Sequence, residues 1–259
     1  KVYLYEAAEV AGVAEEVLRR NRIRNAEVFV CHSTEFDDPP RADIVVSETL
    51  GNYALEEDIV EIMADASARH LKPGGTLIPQ RIRQFAAPVV RPRVDHELRV
   101  WGRATAGLAE VDLSPAQALT LNNIYVRTLP PAELMQGSAA EWDRIELGRD
   151  KRSNRKGECV FAVAADAAVY GFALWRAAEL LPGLVLSTAP EAPATHWEQL
   201  YLPLQEPIAA RAGETIALTV RSRTSCGTGT TVAWSAEHRG QTGETFSRQH
   251  MDLEKGFLP

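Results

Sequence analysis

Asp43-Ile44-Val45-Val46-Ser47-Glu48-Thr49-Leu50-Gly51-Asn52-Tyr53-Ala54-Leu55-Glu56-Glu57 is the stretch on which the fold turns. Its first part, Ile44 to Val46, is a short β-branched run closed by a serine, the pattern of a buried parallel strand. Beyond Gly51 the period changes: Leu55, Ile59, Ile62, Met63 and Ala66 recur at helical spacing, which predicts a helix from about Tyr53 to Ala68. A glycine-containing loop therefore separates two carboxylates nine positions apart, Glu48 where the strand gives out and Glu57 in the first turn or two of the helix. In open α/β sheets the ligand crevice lies beyond the carboxyl ends of the strands, so two acids facing each other there can grip a cation. The macrodipole alone accounts for an acid in a first helical turn. Glu48 needs more explanation, because a carboxylate directly after an apolar strand is costly to bury unpaired, and Gly51 offers backbone turns that other residues resist.

Working outward, Val2 to Tyr5 reads as a strand ending in Glu6, followed by a helix with Val10, Val13, Val17 and Leu18 on its apolar stripe. Ala26 to Cys31 is a second strand, Ser33-Thr34-Glu35 follows it, and Asp37 to Pro40 is a loop by composition. This alternation predicts a parallel sheet with helices packed on it and places Glu6, Glu35 and Glu48 beyond one sheet edge. An acid closing a strand of such a unit can accept hydrogen bonds from ribose hydroxyls, which gives Glu6 a role; a solvated strand end is the alternative. From Arg81 the helical period weakens. Segments 82–90, 157–164, 169–180, 185–188, 199–204, 215–220, 231–238 and 245–252 read as strands between Pro, Gly, Asp or Asn punctuation. An all-β region thus begins near Pro79. Residues 99–150 are mixed, with helix-capable pieces at 114–121 and 131–136 and a good start at Ser114-Pro115. Gly227-Thr228-Gly229 reads as a hairpin turn.

The 259 residues suffice for two modest domains with ample core, and hydrophobic and charged fractions of 45% and 24% are those of an ordinary globular protein. No apolar run approaches the roughly 18 residues that cross a bilayer, so no membrane association is expected. Cys31, Cys159 and Cys226 are few, odd in number and far apart. They indicate neither a disulfide framework nor a zinc site, and a reducing, cytoplasmic compartment is expected. A net charge of −7 argues against nucleic-acid binding and suits basic peptide partners.

Ser47-Glu48-x-x-Gly51 with Glu57 nine residues after the first acid resembles the double-glutamate loop of the protein arginine methyltransferases. The resemblance continues in Leu71-Lys72-Pro73-Gly74-Gly75, Ile78-Pro79, Ser187-Thr188-Ala189-Pro190 and Thr195-His196-Trp197, three motif groups in the right order over nearly the whole chain. It implies S-adenosylmethionine as cofactor, with Glu6 at the ribose and Thr34 and Glu35 toward the adenine. It implies a Rossmann-like domain over residues 1–79 followed by a β-barrel domain over 80–259. An arm about 100–150 would pack on the partner of a homodimer. The family's first strand and Gly-x-Gly loop have no counterpart here, so a truncated domain and an inactive fragment are expected, with residues 2–5 and 44–46 running parallel but unpaired. Leu50 and Ile59 replace methionines of characterised members, at positions expected to border the acceptor pocket.

Arginine's guanidinium is planar, always charged and rich in donors, and two carboxylates can accept it, one of them in bidentate fashion. On that resemblance Glu48, Glu57 and His196 are the catalytic candidates, with His196 bracing the acid loop or handling protons. Thr195 and Trp197 are expected to line the substrate channel. A lone histidine among aromatic residues is more often structural, and core packing is the close alternative for Trp197. Two other readings stay open: a methyltransferase for a small guanidino or amine compound, and a non-catalytic β-barrel interaction module.

Overall fold

The computed structural model describes residues 1–101, 111–225 and 229–255. The expected turn at Gly227 and Thr228, and positions 102–110 of the expected arm, lie outside them. The first part alternates as its sequence predicts: β1 (Val2–Tyr5), α1 (Ala11–Arg20), β2 (Ala26–Phe29), β3 (Ala42–Val46), α2 (Ile59–Asp65) and β4 (Leu71–Ile78). β1 pairs with β2 and β3 with β4, both in parallel, as two separate two-stranded sheets, so no ladder joins β1 to β3. β4 is a strand that the sequence reading passed over, because Pro73-Gly74-Gly75 looks like a turn; a register shift between Ala42 and Ile44 absorbs it.

The helix after the acid loop is shorter than its periodicity predicts. It begins at Ile59 instead of Tyr53, and a π turn over Ala66–His70 finishes it. Ala54 at φ 79° and Asp58 at φ 55° take left-handed conformations that end any earlier helical path. Glu57 is therefore a loop residue and not part of a first helical turn. Gly51 is not at positive φ; its missing Cβ instead leaves the space into which the Glu56 carboxylate folds.

The β-rich part follows the predicted strands over 81–89 and 155–252, whereas the mixed region holds two unpredicted strands, Tyr125–Arg127 and Ala140–Glu146, and the helix-capable piece at 131–136 forms only a 3-10 turn over Pro131–Glu133. Helices α3 (Arg93–Leu98) and α4 (Ser114–Leu121) and strands β5 (Arg81–Val89), β6 (Tyr125–Arg127) and β7 (Ala140–Glu146) precede β8 (Arg155–Ala162) and β9 (Ala167–Leu181). β10 (Leu184–Ser187), β11 (Gln199–Ala210), β12 (Thr215–Ser225), β13 (Gly229–Arg239) and β14 (Thr245–Asp252) complete it. The expected Ser114 cap does not form: Ser114 is the first helical residue, Leu113 precedes it without a side-chain capping bond, and Asp112 accepts the Ser114 N–H at 2.8 Å. The strands form a six-stranded sheet, β6-β11-β9-β5-β7 with β10 on β9, and a four-stranded sheet, β14-β13-β12-β8. Among the described residues no pairing closes these two ladders into one continuous barrel. β7 and β8 nevertheless meet tightly, since a Cβ at Gly157 would collide with the Trp142 carbonyl oxygen.

Alternation fills the space between the sheets. Ile216, Leu218 and Val220 of β12 and Val232, Trp234 and Ala236 of β13 point inward, as do Ile82 and Ala86 of β5. Leu50, Tyr53, Leu55, Ile59, Val60 and Met63 join the same core, against residues such as Trp142, Phe172 and Trp234. The apolar anchor of the acid loop is thus the β-rich region, while Val2, Leu4, Ile44 and Val46 of the small sheets stay exposed.

Candidate active site

Parallel pairing puts the ends of β1 and β2 side by side. Glu6, half-buried, accepts the Ala8 N–H on Oε1 at 2.8 Å, which fixes its carboxylate at the strand end. Ser33–Glu35 forms a single 3-10 turn after β2, with Thr34 and Glu35 exposed and the Thr34 hydroxyl 2.7 Å from His32 Nδ1. The turn is held from below. Arg69, in the π turn after α2, donates to the carbonyls of Phe36 at 2.6 Å, Thr34 at 2.9 Å and Ser33 at 3.1 Å, and its guanidinium is gripped by Asp65. Tyr5, Phe29, Phe36 and His70 form an aromatic cluster next to it, in which the Tyr5 hydroxyl is buried without a partner. Burial pushes the His70 imidazole below its ordinary pKa.

The second group gathers around the acid loop. Glu48 and Glu57 are exposed, and no ion pair among the described residues uses either of them or Glu56. Glu56 is an exposed residue, but its carboxylate folds back to accept the Tyr53 N–H at 2.5 Å. Burial raises its pKa, against the pull of the Tyr53 N–H and of Arg176. The Thr195–Trp197 loop comes to the same place: the Glu198 N–H donates to Asn52 Oδ1 at 2.9 Å, joining positions 146 residues apart in the chain. The Thr195 hydroxyl accepts the Trp197 N–H at 3.2 Å and tightens that loop. His196 is exposed and rests on the Trp197 ring, with centroids 3.8 Å apart.

Between the two loops stands Arg176 of β9, only 2% exposed, whose guanidinium carbon lies 4.5 Å from the centre of the Trp197 ring. Glu56, Glu48 and Glu57, in that order, act on its charge. Both predicted acids therefore share one electrostatic neighbourhood with the Thr-His-Trp loop, while Glu6, Thr34 and Glu35 form a separate group at the ends of β1 and β2. Sequence reasoning missed Arg176, Glu56 and Asn52. A signal existed for Arg176: it shares a strand face with Leu174 and Ala178, so a charge falls on an inward position of an apolar run. Leu50 and Ile59, expected beside an acceptor pocket, are 3% and 0% exposed and belong to the apolar core.

The two groups fit different chemistry. A carboxylate at a parallel strand end beside an aromatic cluster suits a nucleoside, which brings hydroxyl donors and a flat ring. A loop of unpaired acids next to a tryptophan suits a flat organic cation. Two shallow clefts elsewhere, of about 370 Å³ beside Arg99 and Gln117 and about 350 Å³ beside Lys156 and Arg221, include none of these residues.

Residues 82–235 match the arginine methyltransferase oligomerization subdomain, more than half of the chain. Protein arginine N-methyltransferase 6 of Xenopus tropicalis is 28% identical over 218 residues, covering 80% of this chain and 64% of that protein. An arginine N(omega)-methyltransferase of Streptomyces achromogenes subsp. streptozoticus is 26% identical over 214 residues, covering 81% and 58%. The chain thus spans less than two thirds of the length of these relatives. Among solved structures, the Trypanosoma brucei PRMT1 enzyme-prozyme heterotetrameric complex with AdoHcy superposes with a TM-score of 0.84 at 18% identity, over 98% of this chain and 81% of that one. Protein arginine methyltransferase 10 of Arabidopsis thaliana gives a TM-score of 0.78 at 20% identity, over 98% and 82%.

Proposed function

Because this chain belongs to the protein arginine methyltransferase family, we propose that it serves S-adenosylmethionine-dependent methyl transfer to a guanidinium nitrogen of arginine in a protein or peptide. The carrying observation is the Glu198–Asn52 bond, which ties the Thr195–Trp197 loop to the loop bearing Glu48 and Glu57. In this reading residues 1–79 are the cofactor-binding, Rossmann-like part and residues 80–259 the barrel-type part. The matched oligomerisation subdomain supports self-association, with a homodimer as the expected state.

The cofactor supplies an electrophilic methyl group on a sulfonium, whose departure leaves a neutral thioether. Glu6 would accept its ribose hydroxyls, and the 33–35 turn with Thr34 and Glu35 would meet the base. Glu48 and Glu57 would hold the acceptor guanidinium and draw its positive charge toward the nitrogens they contact. That leaves the remaining nitrogen with electron density for in-line attack, and alignment supplies the rest. His196, exposed above Trp197, stands where it can brace the loop or take the proton that the methylated nitrogen releases. Trp197 would border the acceptor, and Thr195 would hold its ring in place through the bond to the Trp197 N–H.

The test is transfer of labelled methyl from S-adenosylmethionine to arginine-containing peptides by this chain, expected to be inactive by itself, and by the chain preceded by the family's first strand and Gly-x-Gly loop, alone and with Glu48→Gln or Glu57→Gln. Each variant is expected to lose about 100-fold or more in turnover, the scale of one lost charge-stabilising group, while cofactor affinity measured by calorimetry changes little. Variants that keep their turnover would remove both acids from the reaction.

A further inference from the structure

The guanidinium of Arg176 is a buried cation with nothing to hold. Neither Nη1 nor Nη2 has a hydrogen-bond partner. Its backbone leaves it no room to slide: Arg176 is paired with Gln84 of β5, and its carbonyl accepts the Thr188 N–H at 2.9 Å. Its guanidinium carbon lies over the Trp197 ring, 4.5 Å from the ring centre. Burial lowers its pKa, but only to about 10, so it remains charged at neutral pH.

The three acids of the neighbouring loop do not discharge it. Among the described residues no ion pair joins Arg176 to Glu48, Glu56 or Glu57, although all three act on its charge. A cation whose purpose was to neutralise the loop would close on one of them, since an uncompensated buried charge is costly. Here opposite charges stand near each other without pairing: three acids act on a guanidinium whose Nη1 and Nη2 carry no hydrogen bond. Such an arrangement is complementary to a ligand that carries both signs. A planar fork with both ends free matches a carboxylate, which accepts two parallel N–H bonds.

We propose that Arg176 is the receptor for a carboxylate carried with the acceptor arginine, so that the acceptor spans the site with its guanidinium at the acid loop and its carboxylate at Arg176. This rests on the methyl-transfer reading above and narrows its substrate class. The carboxylate can be that of arginine itself, free or at a chain end, or that of an acidic residue beside it. Because Arg176 is closed to solvent, entry requires the acid loop or Trp197 to move aside.

Calorimetric titration of the protein, with S-adenosylhomocysteine present, compares L-arginine with agmatine, its decarboxylated analogue. It also compares a capped arginyl-glutamate dipeptide with its arginyl-glutamine counterpart. The proposal expects the carboxylate-bearing member of one pair to bind about tenfold tighter or more, the scale of a charged hydrogen bond. The first pair reports arginine's own carboxylate and the second a neighbouring acid. Arg176→Met should erase the preference, and Arg176→Lys, which keeps charge without the fork, should retain only part of it. Equal affinities within both pairs would overturn the proposal while leaving arginine methylation standing. Tighter binding of all four ligands to Arg176→Met would also overturn it, by making Arg176 a competitor of the acceptor. Binding of none of the four to the unmodified protein would sink both the proposal and the reading beneath it.

Discussion

Glu56 sits between the two predicted acids and behaves unlike either. Its carboxylate is folded inward, and burial raises its pKa against the Tyr53 N–H and Arg176. A carboxyl raised in the folded state holds its proton more tightly there than in the unfolded chain. Folding is then favoured at pH below the ordinary glutamate value, and that advantage is lost as pH rises through the raised value. Glu56→Gln, which resembles the protonated form, should therefore have a higher Tm than the unmodified protein at pH 7 to 8. The two should converge when the melts are repeated near pH 4, where both carry a neutral side chain. A gap that stays constant with pH would remove ionisation as the cause. Glu48, Glu57 and the Thr195–Trp197 motif were legible in the sequence because motif spacing survives without knowledge of packing. Glu56 and Asn52 were not, since their roles depend on a loop folding back through left-handed Ala54 and Asp58; aspartate visits that conformation readily, but nothing local marks Ala54 for it.

Between elements, the π turn that ends α2 connects the two site groups. α2 starts directly after the acid loop, and Arg69 at its far end fastens the 33–36 turn through three carbonyls. Arg69→Met should destabilise the protein, as read by a lower midpoint in chemical denaturation, because it removes three hydrogen bonds from a charged group to the 33–36 turn. If the turn meets the cofactor, this variant should also raise the KM for S-adenosylmethionine while kcat holds. A fall in kcat alone would place Arg69 outside cofactor positioning. Its neighbour His70 carries a pH dependence of the opposite sign to that of Glu56. Burial depresses its pKa first, the Ser33 carbonyl and Asp65 oppose this, and Arg69 adds to it. A depressed histidine folds best neutral, so its share of stability is complete above about pH 6.5 and is lost as pH falls through the lower folded value. Amide protection in residues 33–36, taken as exchange relative to the unfolded-chain rate at each pH, should fall on acidification from pH 7 to 5, and His70→Gln should flatten that response. Helix periodicity located α2 and its apolar stripe but overran its start by six residues, because the period persists through Leu55 and Ala54 while the backbone does not.

Across the whole molecule, stability is divided unevenly, and the division does not follow chain order. β1 to β4 form two ladders of two strands each, the smallest unit a sheet can have, with Val2 48%, Ile44 57% and Val46 68% exposed. The six- and four-stranded sheets enclose a core of Phe172, Leu202, Leu218 and Trp234, all nearly sealed from solvent. Leu50, Tyr53, Leu55, Ile59 and Met63 enter that core although they precede Pro79 in sequence. A periodic apolar stripe tells which face of a helix is buried but not which neighbour covers it, so the sequence placed α2 with the strands around it. Local opening free energy follows buried contacts and ladder width. Amides of β1, β2 and β3 should therefore exchange orders of magnitude faster than those of β9, β11 and β12. Amides of residues 59–63 should be protected to nearly the same degree as the β-rich core, and Tyr53→Ala, which empties an aromatic place in that core, should release them at a cost of about 3 to 5 kcal/mol. Peptide-level hydrogen exchange followed by mass spectrometry separates these segments. If residues 59–63 instead exchange together with β1 and β2, the acid loop is carried by the small sheets, and the β-rich region only borders the site.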